Sequence, residues 1–588
     1  MPTIADTVVR RLRAWGVRRV FGYAGDGIDP LLAAFRRANG DPELVTSRHE
    51  EMAAFMATGH AKYTGQVGVC LATQGPGAIH LLAGLYDAKL DRKPVVALVG
   101  QVVTSALGSG YQQEVDLPSL FKDVCGQYLE TVVSAEQLPM VLDNAIRTAI
   151  ATSSPTCVIL AHDVQQADAP DGVPHEHGVV PSAAVLSRPR VLPDERELRR
   201  AAQLLDAGER VAMLVGQGAA GATAEVTAIA ARLHAGITTS LLGKPLLDER
   251  AANHCGVMGH LGTTASADLM AWCDTLLIVG SSDPWTEYYP PPGQVRTVQI
   301  ELNGRNVGAK YPVDVPLVGD AAATLHELMP LLSHERDGRW REQVEVVADH
   351  WRQVAAARVA DSADPLNPQA VVAAASRHLP AHVRVAVDVG SVTYWYARFL
   401  SLPPGAPAHL SSTLACMGCG LPYGIAAKLD APDRPVLVMA GDGAFQMSGL
   451  GELVTVAHRW RDWADPRFVV LVLSNGDLAE VSWEQREMEG DPRYPNSQDV
   501  PSFPYASYAE LLGLRGIRVD SPEQVDAAWA EAFAADRPCL IEAIVDPDVP
   551  MLPPRLPDDK VETMLAGLRQ EPSGDETIAR VQAQREQE

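Results

Sequence analysis

The 588-residue sequence is short of basic residues, with 49 Lys and Arg against 73 Asp and Glu and a net charge of −24. Such a field repels a phosphate polymer, so nucleic acid is not an expected partner. No run of eighteen apolar residues occurs, so no segment reads as a membrane-spanning helix. The opening stretch, MPTIADTVVRRLRAWGV, has an amphipathic helical pattern and lacks the long apolar core of a signal peptide. The eight cysteines are scattered and outline no disulfide framework, which gives a reducing, cytoplasmic expectation. No internal repeat is evident.

What is present is an alternation of short apolar runs and helical patterns, enough chain for three to four domains. RRVFGYAG, VGVCLATQGPG, PVVALVG and TCVILAHDV read as strands in the first third. RVAMLVG, GITTSLL, DTLLIVG and VRTVQIEL follow in the middle third. VRVAVDVG, PVLVMAGDG, RFVVLVLSN and PCLIEAIV follow in the last. Repeated βα units predict three α/β domains, each a doubly wound parallel sheet. Their expected limits are 1–165, 190–335 and 366–550. A Pro-rich linker follows the first domain, a charged helical connector covers 334–366, and 551–588 reads as a polar C-terminal tail.

Ligands of parallel sheets bind beyond the carboxyl ends of the strands. The strand ending in Gly441-Asp442-Gly443-Ala444 places a carboxylate there. The helix that follows offers free N–H groups to a phosphate. An anion facing an anion calls for a divalent cation, and oxygen ligands suit Mg²⁺. The next strand ends in Asn475, 33 residues on, with the carbonyl of Asp477 a possible third ligand. Asp between glycines and Asn-Gly are also ordinary turn residues.

Gly441-Asp442-Gly443 followed by Asn475 resembles the diphosphate–magnesium motif of thiamine diphosphate enzymes, with Ser474-Asn475 where that family usually has Asn-Asn. The family needs one further acid, hydrogen-bonded to the pyrimidine ring to make its imino tautomer accessible. RHEEMAAFMATGHAKYTG resembles the family's glutamate helix and implies Glu50. Ser47 and Glu50 also have the spacing of a capping box. VFGYAGDGIDPLL, with Gly25, resembles the first active-site loop, and ATQGPGAIHLLAGLYDA, with His80, its companion turn. The resemblance further implies Gly390 and Ser391 of DVGSVTYW near the diphosphate and Met417 wedged between the cofactor's rings. Cys416-x-x-Cys419, with no second pair or His cluster, does not make a zinc site.

In the middle unit Gly216, Gly218 and Gly221 satisfy G-x-G-x-x-G after a strand. No acid follows at the end of the next strand, which argues against NAD. The unit resembles the FAD-holding central domain of pyruvate oxidases and acetolactate synthases. That likeness implies cofactor contacts at Gly259, His260, Asp283, Glu301 and Asp320. Leu242 and Thr286 stand where relatives carry Arg. GSGYQQEVDLPSLFKDVC resembles the pyruvate:quinone dehydrogenase branch and implies Gln113 and Phe121 on the substrate side. Glu484 aligns with a glutamate over the cofactor, while Glu480 takes an aromatic position. Glu480, Glu484 and Glu487 equally fit a solvated helix face.

The resemblance thus implies a thiamine diphosphate-, Mg²⁺- and FAD-dependent flavoprotein that oxidatively decarboxylates pyruvate or a related 2-oxo acid. Its electron acceptor would be a quinone or oxygen. The alternatives are an acetolactate synthase-like carboligase with structural FAD, or a non-catalytic paralogue. It also implies a homo-oligomer, dimer or tetramer. The last helix carries only Ile578 and Val581 as bulky apolar residues, so no stable membrane association is expected.

Overall fold

Three sheets of six strands each carry the chain. In the first, β1 (Arg19–Gly22), β2 (Glu43–Thr46), β3 (Gly68–Ala72), β4 (Val95–Gln101), β5 (Leu129–Val132) and β6 (Pro155–Ala161) lie in the order β2-β1-β3-β4-β6-β5. All its neighbours are parallel. The second comprises β7 (Val211–Val215), β8 (Gly236–Thr239), β9 (His254–Val257), β10 (Thr275–Val279), β11 (Arg296–Glu301) and β12 (Val315–Val318). Its order is β12-β11-β10-β7-β8-β9, again parallel throughout. The third holds β13 (Arg384–Val387), β14 (Ala408–His409), β15 (Val436–Gly441), β16 (Phe468–Ser474), β17 (Arg515–Val519) and β18 (Cys539–Ile544), ordered β14-β13-β15-β16-β18-β17. This computed structural model describes residues 2–170, 175–333 and 337–588. Residues 171–174 of the expected linker and 334–336 of the expected connector lie outside the described residues.

The central strands are apolar on both faces because helices cover both. Every residue of β3, β4, β6, β7 and β10 is buried. In the three sheets the strand order reverses between β1 and β3, β7 and β10, and β13 and β15 respectively. Such a reversal leaves a crevice at the strands' carboxyl ends.

The chain divides into two compact units. One is Met1–Arg188, His409–Val438 and Ala444–Phe468, and the other is Pro189–Ala408, Met439–Gly443 and Val469–Glu588.

Within the charged connector a 22-residue helix, Arg339–Ala360, buries Trp340, Val344, Trp351 and Val354. The C-terminal segment departs from expectation. The segment expected to be a polar tail forms helices Asp558–Leu568 and Gly574–Gln587, with Val561, Met564, Leu568 and Val581 buried. The buried Arg358 donates to the Gln584 carbonyl and the Glu588 carboxylate, tying that end down. Apolar residues there are few but fall at helical spacing, so a low average hydropathy hid them. Among the described residues, no helix is long and apolar enough to cross a membrane.

Candidate active site

At the third reversal point, Asp442 follows β15 and opens a short helix, Asp442–Ala444, that runs into a π-helical turn over Phe445–Gly449. Its side chain is 3% exposed. Oδ2 accepts the Gly476 N–H at 2.7 Å and Oδ1 that of Gly443 at 2.9 Å. Ser474, in place of the family's first Asn, reaches Oδ2 through its hydroxyl at 3.4 Å. Burial pushes the Asp442 carboxyl up to about 6 against the pull of these N–H groups. Asn475, at the end of β16, folds its amide oxygen onto the Asp477 N–H at 3.0 Å. The Asp477 side chain is engaged by Ser482 at 2.9 Å and Arg493 at 3.0 Å, which leaves its carbonyl as the oxygen a cation could take. A buried carboxylate, an amide oxygen and a carbonyl on two adjacent strand ends fit Mg²⁺. After β13, Gly390 takes φ +127°, a region that favours glycine, and caps the helix Ser391–Phe399. The N–H groups of that helix end fit a phosphate. Met417 is half-buried between Ala415 and Gly418, both at positive φ, in an irregular stretch.

In the other unit the capping-box reading of Glu50 fails. The helix Glu50–Thr64 takes His49 as its N-cap, and the Ser47 hydroxyl donates to the His49 carbonyl instead. Glu50 is therefore not spent on capping. It is 8% exposed, with Oε2 2.9 Å from His80 Nδ1. The His49 and His80 ring centroids lie 4.2 Å apart with the planes tilted by 32°. A Cβ on Gly77 would come within 3.1 Å of Glu50 Oε1, so a glycine keeps that oxygen clear. Gly25 lets the loop after β1 meet the loop after β3, since a Cβ there would lie 2.6 Å from Thr73. Gln113 holds φ +64° and accepts from Gln74 at 3.1 Å, on an exposed loop. Phe121, at the end of the helix Leu117–Phe121, is fully buried.

At the middle reversal point, the loops after β7 and β10 touch. A Cβ on Gly216 would sit 2.4 Å from the Gly280 carbonyl and one on Gly218 2.8 Å from Gly280 Cα. The Gly218 N–H donates to that carbonyl at 2.9 Å. These glycines are thus required by loop-on-loop packing. Beside them the buried Ser281 hydroxyl has no hydrogen-bond partner among the described residues, nor does Thr239 at the end of β8. Orphaned donors at a reversal point fit a bound nucleotide. Gly259 takes φ +100°, and the next residue, His260, stacks on Trp285 at 5.3 Å. Burial and Arg398 lower His260 to about 4, and burial lifts Asp283 to about 7. Glu301 accepts from the Asn303 N–H at 3.0 Å. Asp320 spends an oxygen on the Val191 N–H at 2.6 Å, so its visible role is to dock the linker.

The acids of helix Ala479–Glu489 do not form a solvated face. Glu487 is buried and Glu480 and Glu484 are partly so, while Val481 and Met488 are about half exposed. Burial lifts Glu480 and Glu487 to about 7 and also raises Glu484. Glu487 lies 3.9 Å from His260. Sequence reasoning missed the ion pairs behind this helix, where Arg486 meets Glu571. The signal was an Arg on the inward side of a helix, between Trp483 and Glu487.

Three family profiles match this chain. They are described as the N-terminal TPP binding domain, the central domain and the C-terminal TPP binding domain of thiamine pyrophosphate enzymes, over residues 2–120, 198–328 and 388–543. YdaP of Bacillus subtilis, described as thiamine pyrophosphate-containing, is 32% identical over 93% of this chain and 92% of its own. Pyruvate oxidase of Lactiplantibacillus plantarum is 28% identical over 95% and 91%. The acetolactate synthase large subunit of Corynebacterium glutamicum is 30% identical over 98% and 92%.

Proposed function

Because this chain belongs to the thiamine pyrophosphate enzyme family, we propose that it oxidatively decarboxylates pyruvate or a related 2-oxo acid with thiamine diphosphate, Mg²⁺ and FAD. The observation that carries the reading is the buried Asp442 carboxylate beside Asn475 at the ends of β15 and β16. The proposed domain limits, 1–165, 190–335 and 366–550, bracket the three matched segments. Bound thiamine diphosphate supplies a carbon nucleophile and electron sink, and FAD an acceptor for the electron pair. Asp442, Asn475 and the Asp477 carbonyl hold the cation. Gly390 and Ser391 present N–H groups to the diphosphate. Glu50 holds a proton at the pyrimidine. Gln113, His80 and Glu484 bound the substrate side. Gly216, Gly218, Gly259, His260, Asp283 and Glu301 bound the flavin. The active unit is a homo-oligomer, and the electron acceptor is a quinone or oxygen.

The test is an anaerobic visible spectrum of the purified protein. A flavin band bleached by pyruvate, with acetate and CO₂ in equal amounts, supports the reading. Acetolactate formed beneath an unchanged flavin band overturns it in favour of ligation.

The cation site carries its own pH dependence. A proton and Mg²⁺ compete for the Asp442 oxygens, and burial favours the proton up to about pH 6. Mg²⁺ affinity should be flat above that value and fall roughly tenfold per pH unit below it. Titrations of Mg²⁺ into the cofactor-free chain across that range check this. In Asp442→Ala the cofactor should no longer be retained through gel filtration.

A further inference from the structure

Behind the proposed metal loop runs a set of ion pairs that starts at the C-terminal helices. Glu571 lies between Asp558–Leu568 and Gly574–Gln587. Its carboxylate takes a two-pronged bond from Arg486, with Nε at 2.8 Å and Nη2 at 2.6 Å. Both side chains are almost fully buried, at 1% and 5% exposure. Glu571 Oε1 also accepts the backbone N–H of Arg493 at 2.8 Å. One carboxylate therefore grips the helix Ala479–Glu489 and the loop after it at the same time.

The gripped loop returns to the metal site. Arg493 Nη2 donates to Asp477 Oδ1 at 3.0 Å and also meets Asp499. Around Asp477, the Leu478 N–H donates to the Gln498 carbonyl at 2.8 Å and the Val500 N–H to the Gly476 carbonyl at 2.9 Å. Residues 476–478 are thus pinned by 498–500, and Arg493 bridges the two segments through Asp477 and Asp499. A paired, planar guanidinium–carboxylate contact is stiff, so position is transmitted through it. Groups that orient metal ligands without touching the metal set its affinity.

We propose that Glu571 is a positioning residue for the cation loop, acting through Arg486 and Arg493 on Asp477 and Asn475. The proposal rests on reading that loop as the Mg²⁺ site. The C-terminal helices then help to build the active site rather than merely covering it.

The experiment compares Glu571→Gln, Arg493→Gln and the double variant in the full chain, with Asp442→Ala alongside. Each is titrated with Mg²⁺ at saturating thiamine diphosphate, and turnover and melting temperature are recorded. Glu571→Gln should raise the Mg²⁺ requirement roughly 10-fold while turnover at saturating Mg²⁺ recovers. Arg493→Gln should do the same, and the double variant should cost no more than either alone, as expected of one linkage. A lower melting temperature with an unchanged Mg²⁺ requirement in Glu571→Gln overturns the proposal and leaves the metal reading standing. Additive effects overturn it too. If Glu571→Gln does not fold, Arg493→Gln, whose side chain is 27% exposed, decides on the same criteria. If Asp442→Ala itself leaves the Mg²⁺ requirement unchanged, the metal reading fails and the proposal with it.

Discussion

Glu50→Gln should keep thiamine diphosphate bound and lose roughly 10²–10⁴-fold in turnover, the usual worth of a positioned proton-transfer group. Glutamine matches glutamate in shape and can still accept a hydrogen bond, so the pocket and its cofactor contacts survive. What it lacks is a proton that can be held and released. The structure gives the residue no structural duty that would confuse the result. Glu50 does not cap its helix, and its Oε2 lies 2.9 Å from His80 Nδ1. Glu51→Gln is the control. Glu51 is more exposed than Glu50, with 28% of its side chain open against 11%, and sits beside the His49 ring. Cofactor occupancy by calorimetry and turnover on the same samples separate the two variants. Normal turnover in Glu50→Gln would remove this residue from the chemistry.

How much of this was legible follows from where each residue sits. Strands buried on both faces announced themselves as unbroken apolar runs: β3, β4, β7, β10, β15 and β16 all fell within stretches read as strands. Those not read as strands are β2, β5, β9, β12, β14 and β17, and all six lie at sheet edges. An edge strand is covered on fewer sides, so its sequence alternates or mixes. Val315–Val318 alternates buried and exposed residues, and Arg515–Val519 buries only Gly516 and Val519. Asp442 and Asn475 were legible because strand-end chemistry is local in sequence. The Glu571–Arg486–Arg493–Asp477 linkage was not. Its partners are 85, 78 and 16 residues apart, and no periodicity encodes a long-range ion pair. Gly216 and Gly218 were read as part of a dinucleotide-type glycine pattern, and the atoms that come close to them belong to Gly280. Glycine spacing says that something comes close without saying what.

The second large effect is expected at the far end of the glutamate helix. Lys62 lies in its last turn, where a lysine usually reaches solvent and favours the helix dipole. Here its side chain is wholly buried. Nζ donates to Asp91 at 2.7 Å, to the Leu410 carbonyl at 2.6 Å and to Asp87 at 3.4 Å, and it lies 4.7 Å above the Tyr423 ring. Tyr423 donates to Asp87, and the N–H groups of Ser412 and Thr413 complete Asp91. Burial alone would raise Asp91, but Lys62 outweighs it and holds that carboxyl below the usual range. Burial raises Asp87, with the Asp91 charge adding to it against Lys62. One buried ammonium thus bonds two carboxylates. Lys62→Met fills the space but strands both acids, and should cost about 3–5 kcal/mol, read as a fall in the first thermal transition. The sign with pH follows from Asp87. Its raised folded value means that its proton stabilises the fold fully below 3.8, and that this stabilisation is lost as pH rises through the folded value. Above that point Asp87 is charged and needs Lys62 most, so the penalty of Lys62→Met should grow from acid to neutral pH. Lys62→Met with Asp87→Asn should recover part of it, because the charge left stranded is gone. A Lys62→Met chain that melts with the parent at both pH values would show that this buried triad does not hold the glutamate helix in place.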